Sequence, residues 1–124
     1  MRALAKAEHA VLVHCAGGRD RTGMICAMLL DLAGTTVDSI VDDYADGWRG
    51  AGSYSGHGWV YDSDLQTWRE HHQPATEPED LERQLADRVP ALHEWISTFD
   101  TTTYLESIGL TSHEIETLKA MLRP

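Results

Sequence analysis

Apolar positions fall into unequal blocks along the 124 residues. Residues 10–13, Ala-Val-Leu-Val, are apolar at successive positions. Such a run has no polar face to give to water, which is the pattern of a central strand buried on both sides in a parallel sheet. Residues 21–33 are apolar nearly all round, through Met24, Ile25, Cys26, Ala27, Met28, Leu29, Leu30 and Leu32. That predicts a helix buried on most sides, with Gly34 placed to terminate it. Thr36 is set to cap a second helix that carries Val37, Ile40, Val41 and Tyr44 at helical spacing. Near the end of the chain, residues 101–108 predict a short helix closed by Gly109. Thr111 and Glu114 then form a capping box for a helix with Ile115, Leu118 and Leu122 on one face.

The rest is less periodic. Residues 2–9 have the composition of a short helix. Residues 46–64 hold five glycines and the aromatics Trp48, Tyr54, Trp59 and Tyr61. They predict a long loop with a short extended piece at 59–61, the kind of excursion that serves as a lid or binding element. Residues 65–72 suggest one or two helical turns, and residues 73–78 a proline-containing break. An acidic helix is expected over 80–87, with Pro90 starting another that runs to Phe99.

The length fits one domain spanning residues 1–124. Asp and Glu number 20 against 10 Lys and Arg, a net charge of −10. Nucleic acid and anionic membranes need basic surfaces, so neither is expected as a general partner. No apolar run is long enough to span a bilayer, and the N-terminus has no signal-peptide core. Two cysteines make no disulfide framework, so a cytoplasmic, reducing setting is expected.

The chemistry concentrates between the apolar run and the first long helix. Residues 14–23 read His-Cys-Ala-Gly-Gly-Arg-Asp-Arg-Thr-Gly, with Cys15 and Arg21 separated by five residues. A strand, a tight loop and a helix in this order make a phosphate cradle. The backbone N–H groups of Ala16, Gly17, Gly18, Arg19, Asp20 and Arg21 can turn inward as a nest, and the helix start adds its positive dipole end. Gly17 and Gly18 permit the backbone angles of such a nest. The helix N-terminus and the Arg21 guanidinium both favour a Cys15 thiolate. Arg21 can bind two phosphate oxygens at once. Thr22 can donate its hydroxyl to the sulfur. The implied reaction is displacement at phosphorus through a phosphocysteine intermediate, followed by hydrolysis.

His-Cys, five residues, Arg-Thr-Gly resembles the signature loop of the cysteine-dependent protein tyrosine phosphatases. Asp20 directly before Arg21 is similar to the bacterial subgroup that also handles phosphoinositides. In that subgroup a Lys usually precedes the Asp, and here the position is Arg19, which keeps the charge on a wider fork. Residues 40–45 and 104–122 also resemble later segments of the family, whereas residues 47–88 match none. The resemblance implies an α/β phosphatase fold, a phosphotyrosine or other monoester substrate, no metal or organic cofactor, and Asp20 as the acid that protonates the leaving group. The residues themselves leave Asp20 an alternative, pairing with Arg19 or Arg21 or capping the helix. His14 either tunes the thiolate or is a satisfied strand-end histidine. Cys26 reads as core, with a redox pairing to Cys15 as the other option. His71 and His72 beside Glu70 lack a further ligand at metal spacing.

In the family, strands precede the Cys loop, and here nine residues precede the run at 10–13. A lone strand leaves its backbone groups unpaired. The expectation is therefore either the C-terminal part of a longer protein, without its N-terminal strands, or a homodimer that pairs this run. Rival functions are a phosphoinositide phosphatase and a non-catalytic phosphate-binding fragment.

Overall fold

The computed structural model describes residues 1–53 and 55–122; Tyr54, named above among the aromatics, lies outside them. Six helices and one hairpin follow in order: α1 (Arg2–Ala5), α2 (Asp20–Ala33), α3 (Val37–Ser53), β1 (Gly56–Asp62), β2 (Thr67–Gln73), α4 (Pro78–Thr98), α5 (Thr101–Ser107) and α6 (Ser112–Leu122).

Helix α2 is the hub. On one side Leu32 joins Leu105, Leu110, Ile115 and Leu118, with Met1 and Leu4 of the N-terminus packed against them. On the other side Ala27 meets Ile40 and Ile96, bordered by Leu30, Val37, Leu92 and Trp95. A third cluster, Ala45, Trp48 and Leu85, lies between α3 and α4. The nearly uniform apolar sequence of α2 thus serves two separate cores, while Met24 at its first turns stays exposed. Gly34 ends α2 at φ 85°, and the Thr35 N–H donates back to the Leu30 carbonyl at 3.0 Å, a left-handed helix stop. The capping box of α6 forms reciprocally: the Thr111 N–H donates to Glu114 Oε2 at 2.9 Å, and the Glu114 N–H to Thr111 Oγ1 at 3.2 Å. Arg2 and Lys6 also reach Glu114, at 3.3 and 3.6 Å, and so tie α1 to α6.

Four expectations are corrected. First, residues 10–13 form no strand. Among the described residues the only sheet is the β1–β2 hairpin, and Val11 and Leu12 are 46% and 83% exposed. A strand exists only where a neighbour takes its N–H and C=O groups, and none lies beside this run. The central parallel strand of an α/β sheet is therefore absent from the described residues, which instead combine helices with a small antiparallel sheet.

Second, α3 does not stop at Asp46. It continues through the glycine-rich stretch because Ile40, Val41, Ala45, Trp48 and Gly52 share one buried face. A Cβ at Gly52 would collide with Leu81 Cδ2, so this glycine serves the close approach of α3 to α4 and not a loop. Third, residues 67–73 are a strand, not helical turns. Trp59 faces Glu70 and Tyr61 faces Trp68 across the pair, and the Tyr61 and Trp68 rings meet edge-on at 5.5 Å, a cross-strand contact that fixes the register. Asp62 Oδ1 accepts the N–H groups of Asp64 and Leu65 to shape the turn. The extended piece at 59–61 is borne out and lengthens into β1. Fourth, α4 is one helix from Pro78 to Thr98 with Pro90 inside it. An interior proline costs roughly 3 kcal/mol. The stripe Leu81, Leu85, Val89, Leu92 and Ile96, bound to α2 and α3 on both sides of Pro90, offsets it.

Candidate active site

The loop from His14 to Arg19 leads into the first turn of α2, where Asp20 adds a carboxylate beside the positive end of the helix. Gly18 takes φ 67°, a left-handed angle that a glycine adopts without strain. With that turn the loop backbone folds round the half-buried Cys15. The Cys15 thiol is lowered from 9.0 to about 6. The Thr22 hydroxyl contributes most, then the Thr22 N–H; desolvation opposes them, and the N–H groups of Gly18 and Gly17 add smaller lowering effects. Thr22 Oγ1 is nevertheless buried without a completed hydrogen bond. That hydroxyl has no competing partner, and it remains the largest influence on the sulfur, ahead of the backbone N–H groups. A thiol of this kind is mostly thiolate at neutral pH, the form that is nucleophilic.

Arg19 turns onto α3. Its guanidinium lies 4.4 Å from the centroid of the Trp48 ring, and its Nε would stand 3.7 Å from a Cβ at Gly17. The Arg88 guanidinium of α4 lies 4.3 Å from the same ring. Trp48 therefore receives one cation from the loop and another from α4. Both gain the attraction of a cation for an aromatic face. Trp48 itself is 4% exposed. Arg21 and His14 are exposed.

Asp20 makes no ion pair with Arg19 or Arg21 among the described residues. It lines a groove of about 320 Å³ together with Tyr44, Arg88, Leu92 and Trp95. A separate cavity of about 100 Å³ lies behind the loop, bounded by Gly18, Thr22, Cys26, Asp43 and Trp48. There burial, and then the Asp43 charge, push the Cys26 thiol up, opposite in direction to Cys15.

Charge pairing separates this region from the rest. Among the described residues, Arg2, Lys6, Arg49, Arg69, Arg83 and Lys119 each reach a carboxylate. Arg19, Arg21 and Arg88 do not, in a chain with twice as many acids as bases. An unpaired guanidinium in so acidic a protein is free to take an anion from outside.

A family model described as "Tyrosine phosphatase family" matches residues 1–124. The chain belongs to the tyrosine phosphatase family. It is 34% identical over 131 residues to a protein from Nostoc commune named "Tyrosine-protein phosphatase". That match covers 98% of this chain and 42% of the relative, so the chain spans less than half the length of the family member it resembles. No solved structure matches the chain significantly. No helix among the described residues is long and apolar enough to cross a membrane.

Sequence reading left Trp48, with the other aromatics of residues 46–64, open between a substrate wall and ordinary packing, and did not single out Arg88. Trp48 carried one signal, its position four residues after Tyr44 on the face of α3 that begins at Ile40. Arg88 carried none, since its distinction is the lack of an acidic partner in three dimensions.

Proposed function

We propose that this chain holds the nucleophilic and phosphate-binding centre of a phosphate monoester hydrolase, with phosphotyrosine as the leading substrate. The observation that carries the reading is the Cys15 thiol at about 6, lowered by Thr22 and the loop N–H groups. Cys15 Sγ attacks phosphorus, an S–P bond forms, and the bond from phosphorus to the tyrosine oxygen breaks. Asp20, beside the groove, gives that oxygen its proton. Arg21 and the N–H groups of residues 16–21 hold the phosphate oxygens through both steps, and Arg19 adds positive charge beside them. His14 tunes the thiolate. Water then attacks phosphorus, its proton passes to Asp20, and the S–P bond breaks, with Thr22 favouring the departing thiolate. No metal or organic cofactor enters either step. A thiolate centre of this kind works best in a reducing compartment.

The test is to mix the protein rapidly with an aryl phosphate, quench with acid and analyse the peptides by mass. A phosphoryl group on the peptide containing Cys15 is expected. Steady turnover with no such adduct, and with full activity in Cys15→Ser, would overturn the mechanism. A second reading, a phosphate-binding module without turnover, is favoured by the unpaired run at residues 10–13. It predicts phosphate binding without product.

A further inference from the structure

We propose that Arg88 is a second anion contact for the substrate, and that the preferred substrates are phosphotyrosyl peptides with an acidic residue next to the phosphotyrosine. This rests on the phosphatase reading of the Cys15 loop. The groove of about 320 Å³ starts at Asp20, the residue that opens α2 directly after the loop. Its walls are Met24, Tyr44, Leu92 and Trp95, and Arg88 lines it from α4. An aryl ring that extends from the loop past Asp20 would meet apolar and aromatic side chains, the surface such a ring prefers.

Arg88 adds charge to that groove. It is anchored on one side by the Trp48 ring at 4.3 Å and on another by Nη1 donating to the Gln84 carbonyl at 3.0 Å. A guanidinium has five N–H donors, and these contacts leave donors for a ligand. No carboxylate among the described residues pairs with it, although acids outnumber bases two to one. The anchoring lowers the entropy lost when a ligand binds, so the fork is prepared for a carboxylate. The Asp20 side chain lines another part of the groove, and Arg88 is the basic residue in the groove's lining. A membrane-borne anionic headgroup would have to approach a chain with a net charge of −10, so a soluble peptide is the better fit.

The test uses short phosphotyrosyl peptides with Glu or Gln on either side of the phosphotyrosine, and compares kcat/KM in the wild type, Arg88→Gln and Arg88→Lys. The wild type is expected to prefer Glu over Gln at one or both positions by roughly tenfold, the effect of one charge-assisted contact to a half-buried group. Arg88→Gln should bring that ratio close to one, and Arg88→Lys should keep several-fold. The ratio in the wild type should also shrink with added salt. Equal rates on Glu and Gln peptides in the wild type, or a preference that survives Arg88→Gln, would overturn the proposal. If no peptide is turned over, the phosphatase reading fails separately. The same peptides are then titrated by calorimetry, where a Glu preference lost in Arg88→Gln still upholds the contact and its absence removes it.

Discussion

The Arg19 guanidinium lies 4.4 Å from the centroid of the Trp48 ring. This contact joins the loop before α2 to the middle of α3, a segment that composition alone marks as loop. It gives Arg19, at the position where the resemblance expects a lysine, an aromatic face to rest on. A lysine could also bind that face, but its compact ammonium could not stack flat on it. On the reading that Arg19 serves the phosphate, Trp48 is a positioning residue that sets where the charge of Arg19 sits.

Trp48→Ala is expected to lower stability by about 3 to 5 kcal/mol, the usual loss for a buried aromatic. Trp48→Phe keeps a ring face for both arginines and should retain most of the fold. If Trp48 positions Arg19, the Phe variant should show KM for an aryl phosphate close to wild type, whereas Trp48→Leu should raise KM more than it lowers kcat. Equal KM in both variants would remove Trp48 from the site.

The reactivity of Cys15 should follow pH with a midpoint near the value of about 6 set by Thr22 and the loop. The thiolate forms above that midpoint, so alkylation by iodoacetamide should be nearly constant above pH 7. It should fall about tenfold for each pH unit well below 6. Thr22→Val removes the hydroxyl and keeps the shape, and should move the midpoint up towards the ordinary thiol value. A midpoint in wild type above 8 would contradict the account. The same sign holds for stability. The depressed thiol stabilises the folded loop above its ordinary value of 9.0, and that contribution is lost as pH falls through about 6.

Cys15→Ser should abolish turnover while phosphate or vanadate binding remains measurable, because the cradle is largely backbone. Calorimetry with vanadate reads the second part. Loss of binding together with activity, in a variant that is still folded by circular dichroism, would show that the thiolate itself builds the anion site.

Asp20→Asn separates the roles of that carboxylate. As the acid, it should slow esters with poor leaving groups far more than those with good ones, seen as a steeper dependence of kcat on leaving-group pKa. A uniform loss across leaving groups would assign it an electrostatic role at the start of α2.

Two glycines of α3 should respond in opposite directions. A Cβ at Gly50 meets nothing within 4 Å, so Gly50→Ala should stabilise by about 0.5 to 1 kcal/mol through helix propensity. At Gly52 the Leu81 side chain occupies the space. There the gain in propensity is outweighed by overpacking, and Gly52→Ala should destabilise by about 1 to 3 kcal/mol. Thermal unfolding of the two variants decides the matter.

Much of this protein is local and therefore legible in its sequence. The stop at Gly34, the cap at Thr36 and the capping box at Thr111 depend on residues a few positions apart. The turn at Gly18 before α2 is local in the same way, since a loop that leads into a helix is built from consecutive residues. Tertiary structure decided what depends on distant partners. Helix α3 runs past Asp46 because its buried face finds α4, and α4 runs through Pro90 because its stripe finds α2 and α3. Residues 10–13 have strand composition but no strand, since pairing is a property of two segments and composition of one. The contacts of Trp48 with Arg19 and Arg88 belong to the same class. Three residues from a loop and two helices meet only after packing, and whether a guanidinium is left without a carboxylate is settled by what the fold brings beside it.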